Sequence, residues 1–350
     1  MFSRKGVIEI QFNWIFIMIV GGLILMFFIA IVVQQGKVSN KRISSSISLD
    51  MQSIFSGAQI STNTEHTVDI PPVNILFECE DGYSSYSVGD SVITLGDSIV
   101  IFSPDMVYGK SREIITWTLD WNAPYRVTNF LYITSPYARY VIVNDNPSLS
   151  SYVHSALPDL IFKELTDDYA GIDDRNNYRV RIARFGDLPE QLPVPEDLAA
   201  LEDESVSLVS IESSGGTLKG TGKVHFYSKN GVIFEREGTS AYLNEASVYG
   251  AIYSEDMAMY ECNMAKAFKR LNILSMVYSA RAGELYTYFM DNPDPQRCRV
   301  KISQAKDYVD DIIERSEVFS IQAVGGVYSS MQDLRTTNKE IQRLSCPVIY

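Results

Sequence analysis

One uninterrupted apolar run near the N-terminus constrains this chain more than any other feature. Residues 12–33 read FNWIFIMIVGGLILMFFIAIVV and contain no charged side chain. As a helix rising 1.5 Å per residue, the run is long enough to cross a hydrocarbon core of about 30 Å. It is longer than the apolar stretch of a cleaved secretory signal and lacks a small-residue cleavage motif. The sequence therefore predicts a retained single-pass transmembrane helix with the lipid bilayer as its partner.

Positive charges flank the run on both sides. Arg4 and Lys5 precede it, and Lys37, Lys41 and Arg42 follow it. Because the positive-inside rule compares the basic residues on the two sides, these charges leave the orientation of the helix open.

Hydrophobic periodicity beyond the run predicts an α+β architecture. With 46% hydrophobic and 21% charged residues, the chain has the composition of a folded protein. Short alternating runs separated by turns predict strands, and Lys229-Asn230-Gly231 between two such runs predicts a hairpin. The expected parts are a cytoplasmic flank at 1–11, the transmembrane helix at 12–33, a helical stalk at 34–65, a small antiparallel β-rich subdomain at 66–121, an α/β subdomain at 122–254 and a helical subdomain at 255–350.

Three antiparallel helices are expected in the C-terminal part. They cover residues 255–290, about 300–322 and about 328–344, with breaks at Asn292-Pro-Asp-Pro295 and at Gly325-Gly326. An apolar stripe at a spacing of three to four residues runs from Met257 to Tyr278, and we expect it to pack in the core rather than to hold a cofactor.

The four cysteines indicate the side of the membrane. All of them follow the transmembrane run, and no C-x-x-C motif argues for zinc or thioredoxin chemistry. Three antiparallel helices bring Cys298 and Cys346 to the same end, whereas Cys262 lies near the far end of the first helix and is left for Cys79. The alternative is four small buried thiols in a reducing cytosol. Two disulfides would place the main domain in an oxidising extracytoplasmic space and the N-terminus in the cytoplasm.

The residues before the apolar run carry a family resemblance. Residues 4–9 read RKGVIE, which resembles the N-terminus of archaeal and bacterial type IV pilin-like proteins. The resemblance covers about the first 35 residues and implies that a peptidase cuts after Gly6 and that Glu9 helps to register assembling helices. Glu9 would be the third residue after the cut rather than the fifth, and Val7 stands where archaeal leaders carry Gln. A plain basic flank with an interfacial carboxylate is the alternative interpretation.

A second resemblance concerns the start of the apolar run. The EIQFNWIF segment is similar to that of uncharacterised archaeal membrane-anchored proteins. This resemblance implies a location in the membrane and no particular reaction.

Composition and motifs argue against several classes of function. A formal charge of −13 and a pI of about 4.8 repel phosphate backbones, so nucleic acid is not an expected partner. The three histidines, His66, His154 and His225, form no H-E-x-x-H or H-x-H pair and are expected in loops or at the surface. Gly109-Lys110-Ser111 lacks the upstream glycine of a phosphate-binding loop. No metal or cofactor is therefore predicted.

Asn144 and Asp145 are the best candidates for a ligand site. They follow the apolar segment RYVIV and precede a predicted helix, and open α/β sheets bind ligands at the ends of their strands. Asp145 could bind a cation or act as an acid or base, while capping of the helix is the alternative. Four further acids form a patch that could attract Ca²⁺ but is better interpreted as solvated loop charge: Asp167, Asp168, Asp173 and Asp174.

Two functions follow from these observations. The first is a structural or interaction component of the cell envelope or of a pilus-like assembly, anchored by one helix and facing away from the cytoplasm. The second is a membrane-tethered ectoenzyme or ligand-binding sensor with a site near Asp145. The sequence favours the first, because it carries no recognisable constellation of catalytic residues.

Overall fold

The computed structural model describes residues 14–32, 51–55, 57, 60–89, 91–96, 99–174, 179–291 and 296–350. The chain divides into two compact units, Met1–Met51 and Gln52–Tyr350. In the first unit, helix α1 covers Trp14–Val32, with a mean hydropathy of 3.1 and no part of its apolar window buried. A helix of this length and composition fits a membrane anchor or a signal sequence.

Two predicted features fall largely or wholly outside the described residues. They are the segment 4–9, with Gly6 and Glu9, and most of the expected stalk at 34–65. Within that stalk, residues 51–55 are helical, but a strand already begins at Thr64. The end of the expected stalk is therefore extended rather than helical.

The second unit contains three β-sheets in the part of the chain that the structure describes. Its strands are β1 (Thr64–Asp69), β2 (Ile75–Glu80), β3 (Tyr83–Val88), β4 (Ser91–Gly96), β5 (Val100–Phe102), β6 (Met106–Val107), β7 (Glu113–Asn122), β8 (Arg126–Thr134), β9 (Ala138–Val143), β10 (Phe162–Thr166), β11 (Arg179–Phe185), β12 (Gln191–Pro193), β13 (Val206–Ser213), β14 (Thr221–Asn230) and β15 (Ile233–Leu243). The sheet orders are β1-β7-β8-β5, β4-β3-β2-β6 and β10-β9-β11-β13-β14-β15-β12.

The described helices of this unit are α2 (Pro147–Ala156), α3 (Asn244–Tyr253), α4 (Met257–Asp291), α5 (Gln296–Arg315) and α6 (Ile321–Arg343). Together with the sheets they confirm the predicted α+β class. Helix α3 was not predicted, since its residues 246–253 are all buried and the segment has no polar face to reveal a helical period.

The β-rich and α/β parts share one sheet. Strand β7 pairs with β8 in an antiparallel ladder that runs from Ile115 opposite Thr134 to Asn122 opposite Arg126. The expected boundary at 121/122 therefore lies inside a hairpin. Residues 52–350 fold as a single compact unit, because this pairing ties the two expected subdomains together.

The seven-stranded sheet combines parallel and antiparallel pairing. Strands β10, β9, β11 and β13 are parallel to one another, whereas β14, β15 and β12 continue the sheet in antiparallel pairs. All six residues of β9 are buried, as expected for a strand of a parallel sheet that is covered on both faces. The hairpin between β14 and β15 turns at the predicted Asn230-Gly231, where Gly231 takes a positive φ of 62°.

The three C-terminal helices are confirmed, but one of their boundaries is corrected. Gly325 and Gly326 were expected to separate two helices, yet both lie inside α6, which begins after the N-cap Ser320. A Cβ atom on Gly326 would come within 2.6 Å of the Arg315 side chain. Glycine at this position therefore leaves room for the Arg315 side chain and marks no turn.

Both predicted cysteine pairs are disulfide-bonded. Cys79 in β2 joins Cys262 in α4, with a Cα–Cα distance of 5.9 Å, and Cys298 in α5 joins Cys346 beyond α6, with 5.7 Å. The first bridge ties the four-stranded sheet of β2 to the helical part, and the second closes the α5–α6 hairpin.

The main core lies between the sheets and helices α3 to α6. The predicted stripe of α4 contributes to it, since Tyr260, Met264 and Phe268 are buried there. Trp121 packs between Phe130 and Phe268, with ring centroids 5.4 and 5.9 Å away. A smaller core on the other face of the seven-stranded sheet includes residues of the segment 188–201.

Candidate functional site

The ends of the parallel strands bring Asn144 into a network of polar side chains. Asn144 follows β9, and its side-chain amide donates to Asp167 Oδ1, just beyond β10, at 2.7 Å. Its side-chain oxygen accepts a hydrogen bond from Ser150 Oγ in α2 at 2.5 Å, and its backbone N–H donates to the carbonyl of Thr166 at 2.8 Å. Asn144 therefore connects two strand ends to the following helix.

Asp145 forms a two-pronged ion pair with Arg184 on β11. The guanidinium Nε lies 2.9 Å from Oδ2, and Nη2 lies 2.6 Å from Oδ1. The backbone N–H of Phe185 also donates to Oδ2, at 3.3 Å. The guanidinium carbon lies 4.6 Å from the centre of the Tyr169 ring. Planar, paired hydrogen bonds of this kind are among the stronger polar contacts in proteins.

The ion pair decides what Asp145 can do chemically. The hydrogen bond from Arg184 to Asp145 raises the pKa of the guanidinium, and burial raises the pKa of Tyr169 to about 12. Both carboxylate oxygens of Asp145 are occupied, and its side chain is only 20% exposed. Acid–base work or cation binding at this position would require the pair to open first.

The helix that follows is capped by a different residue. Asn146 is the N-cap of α2, and its side-chain oxygen accepts from the backbone N–H of Leu149 at 3.4 Å and from Ser148 Oγ at 2.9 Å. Capping was the alternative role for Asp145. The structure gives that role to the next residue along the chain.

The acidic patch divides among separate local contacts. Asp167 binds Asn144, Asp168 Oδ1 accepts from the backbone N–H of Gly171 at 3.1 Å, and Asp173 pairs with Arg139 at 2.8 Å. Within the described ranges, no group of three or more His, Cys, Asp or Glu side chains is arranged to hold a metal ion.

The histidines differ from their predicted placement in one case. His66 is exposed on β1 and His154 is half-buried in α2, but His225 on β14 is only 3% exposed. Its Nδ1 lies 2.8 Å from Thr239 Oγ1 and its Nε2 lies 3.4 Å from Glu212 Oε2. Burial lowers the pKa of His225, and the nearby Arg236 adds to this effect.

The Thr239–His225–Glu212 row has the residue types of a nucleophile, a base and a carboxylate. It runs across three neighbouring strands, since His225 pairs with Thr239 of β15 and lies beside Glu212 of β13. The backbone around Thr239 pairs with β14 in the sheet. Its N–H groups are therefore not arranged as an oxyanion hole. The row is best explained as hydrogen bonding of a buried imidazole, as buried polar groups require.

A buried polar cluster around α4 was not predicted. Lys266 Nζ lies 2.5 Å from Ser84 Oγ, and Asn263 Oδ1 accepts from the backbone N–H of Ile101 at 3.0 Å. Ser84, Asn263 and Lys266 are 3%, 0% and 2% exposed. A serine beside a lysine can be a nucleophile with its base, but this pair is sealed from any substrate. It joins β3 and β5 to α4, and its only sequence signal is a polar pair three residues apart beside the apolar stripe.

Strand β11 carries two further buried cations that were missed. Arg181 donates to the carbonyls of Ala251, Ile252 and Glu255 at 2.9 to 3.2 Å, at the C-terminal end of α3. Burial lowers the pKa of Arg181 to about 10. A cation is favoured at this end of a helix, where the last carbonyls have no partner within the helix.

Arg179 stands beside an acidic cleft of about 270 Å³. It pairs with Asp105 at 2.8 Å and with Glu255, both of which line the cleft. Asp203, on the same wall, pairs with Lys229 at 2.7 Å. Three of the six acidic residues that line the cleft therefore pair with the protein's own cations, and Glu204, Glu237 and Asp256 line it as well.

The comparisons with known proteins find no family model, no curated protein and no solved structure that matches the chain. The resemblance of residues 4–9 to pilin-like leaders stays a prediction, because these residues are not among those described.

Proposed function

We propose that this chain is a single-pass membrane protein that holds a disulfide-bonded domain in an extracytoplasmic space. There it acts as a structural or interaction component of the cell envelope or of a pilus-like assembly. The observation that carries the proposal is the combination of an unburied apolar helix with two disulfides in the same chain.

Each half of this combination supports one part of the proposal. An apolar helix with no buried window has no protein core to enter, and lipid is the medium that solvates such a surface. Disulfides form and persist in oxidising compartments. With every cysteine of the chain bonded, the domain fits the outer side of the membrane.

The contacts of the candidate functional side chains support a structural role. Asp145 is held by Arg184, Asn144 by Asp167 and Ser150, and Lys266 lies in a sealed contact with Ser84. These contacts fix strand ends and helices relative to one another. The alternative, an ectoenzyme or sensor near Asp145, would need this network to open for its ligand.

Two measurements on native membranes test the placement. We expect alkaline carbonate to leave the protein in the membrane pellet, because the helix is solvated by lipid. We also expect alkylation before reduction to modify none of the four cysteines, and alkylation after reduction to modify all of them. Release by carbonate would contradict the anchor, and four free thiols would contradict the extracytoplasmic location.

Intact mass and electron microscopy test the assembly. Loss of the first six residues, together with filaments that contain the protein, would support a pilus-like assembly. A full-length chain seen as separate particles in the membrane would support a plain envelope component. A ligand that binds wild type but not a folded Asp145→Asn variant would instead favour the sensor.

A further inference from the structure

Helix α4 exposes an apolar stripe on the side that faces away from the core. Ile273, Met276 and Val277 are 54%, 51% and 61% exposed, and their spacing of three and four residues places them on one face. Ala280 continues this face and is also exposed. Contiguous apolar surface on a folded domain is a feature of protein interaction sites.

Arg270 and Glu284 flank the stripe at its two ends, and the exposed Arg281 between Val277 and Glu284 donates to the carbonyl of Val348. Arg270 lies seven residues before Val277, in the wall of a cleft of about 440 Å³ that Arg126 also lines. Glu284 lies seven residues after Val277 and is exposed. At 1.5 Å per residue, each charge is about 10 Å from Val277 along the helix axis. In an antiparallel pair of these helices, Arg270 of each copy would therefore face Glu284 of the other.

We propose that a second copy of this chain covers the stripe, with the two α4 helices antiparallel about a two-fold axis at Val277. Each Glu284 then enters the cleft of the other copy, where Arg126 and Arg270 lie. A parallel arrangement would place like charges together at both ends. This inference rests on the proposed function, since it names the partner of an interaction domain.

The size of the stripe sets the expected strength of association. Four turns of one helix offer less than the roughly 800 Å² per partner of a standard interface. We therefore expect weak association in dilute detergent and stronger association between copies concentrated in one membrane.

Single cysteines in the full-length chain test the geometry in membrane vesicles. Val277→Cys places two thiols at the two-fold axis, whereas Glu284→Cys places them about 21 Å apart along the helices. With a short thiol crosslinker, we expect at least tenfold more covalent dimer for Val277→Cys than for Glu284→Cys. Peptide mapping of the crosslinked band verifies that the native disulfides are intact.

Three outcomes would overturn the proposal. They are no crosslink at Val277→Cys, a strong crosslink at Glu284→Cys, which indicates parallel helices, and a crosslinked band containing another protein. Carbonate extraction of the same vesicles separates this failure from that of the proposed function. A chain that stays in the membrane without crosslinking refutes the dimer alone, and a chain that washes off refutes the anchor.

Charge reversal tests the end contacts separately. Arg270→Glu or Glu284→Arg alone should lower the yield of the Val277→Cys dimer about tenfold, and the two reversals together should restore it. Val232→Asp, at a 67% exposed position in the β14–β15 turn, is the matched control and should leave the yield unchanged. Failure of the double reversal to restore the dimer would overturn the antiparallel pairing.

Discussion

Removal of the Cys298–Cys346 disulfide should cost a predictable amount of stability. The two cysteines are 48 residues apart in sequence. For a loop of this length, the chain-entropy relation gives about 14 cal/mol/K of lost freedom in the unfolded chain, or about 4 kcal/mol at 25 °C. The other bridge spans 183 residues, so the same relation gives about 5 kcal/mol. Because the two loops do not overlap, their contributions should be close to additive.

Guanidinium unfolding of the full-length chain in mild detergent measures this cost. We expect Cys298→Ala/Cys346→Ala to lower the midpoint by about 1 M, for a slope of about 4 kcal/mol/M. Near-UV circular dichroism of the buried Trp117 and Trp121 reports on the packed domain. Cys79→Ala/Cys262→Ala is the matched variant. A loss below about 1 kcal/mol in either variant, at unchanged slope, would refute the argument from loop length.

Three further predictions concern titration and the strand-end network. Burial lowers the pKa of His225, so stability should fall as pH drops below about 6.5, and His225→Gln should flatten thermal melting profiles between pH 7 and 5. Burial raises the pKa of Tyr132, Tyr253 and Tyr260. In alkaline melts, stability should therefore fall above about pH 10, by about 4 kcal/mol per pH unit for these three groups together. Asp145→Asn should cost about 1.5–3 kcal/mol in guanidinium unfolding, because Arg184 loses its charged hydrogen-bond partner. An unchanged midpoint would contradict a structural role for that pair.

Local signals allowed the correct predictions from sequence. The apolar run before residue 33 and the Asn-Gly turn at 230–231 each depend on neighbouring residues alone. The cysteine pairing also followed, since helix length fixes which cysteines can reach the same end of antiparallel helices.

The parts that were missed depend on contacts between distant residues. Asp145 meets Arg184, 39 residues further on, only because β9 and β11 are neighbours in the sheet. Gly326 resembles a helix break until Arg315 of α5 is seen beside it. His225 is buried because the strands β13 and β15 flank β14, which no property of the histidine itself reveals.

Each face of α4 carries a few exceptions to the usual distribution of polarity. A helix on the surface of a domain ordinarily turns apolar residues inward and polar residues outward. Here Asn263 and Lys266 point inward, where hydrogen bonds to the backbone and to Ser84 satisfy them, while Met276 and Val277 face outward without such compensation. Burying the outer face against another protein surface would contribute a hydrophobic term of about 25 cal/mol for each Å² removed from water, from which the cost of association is subtracted. Asn263 and Lys266 therefore stabilise the fold. The outer apolar face of α4 is the part of this helix that contact with another protein surface would stabilise.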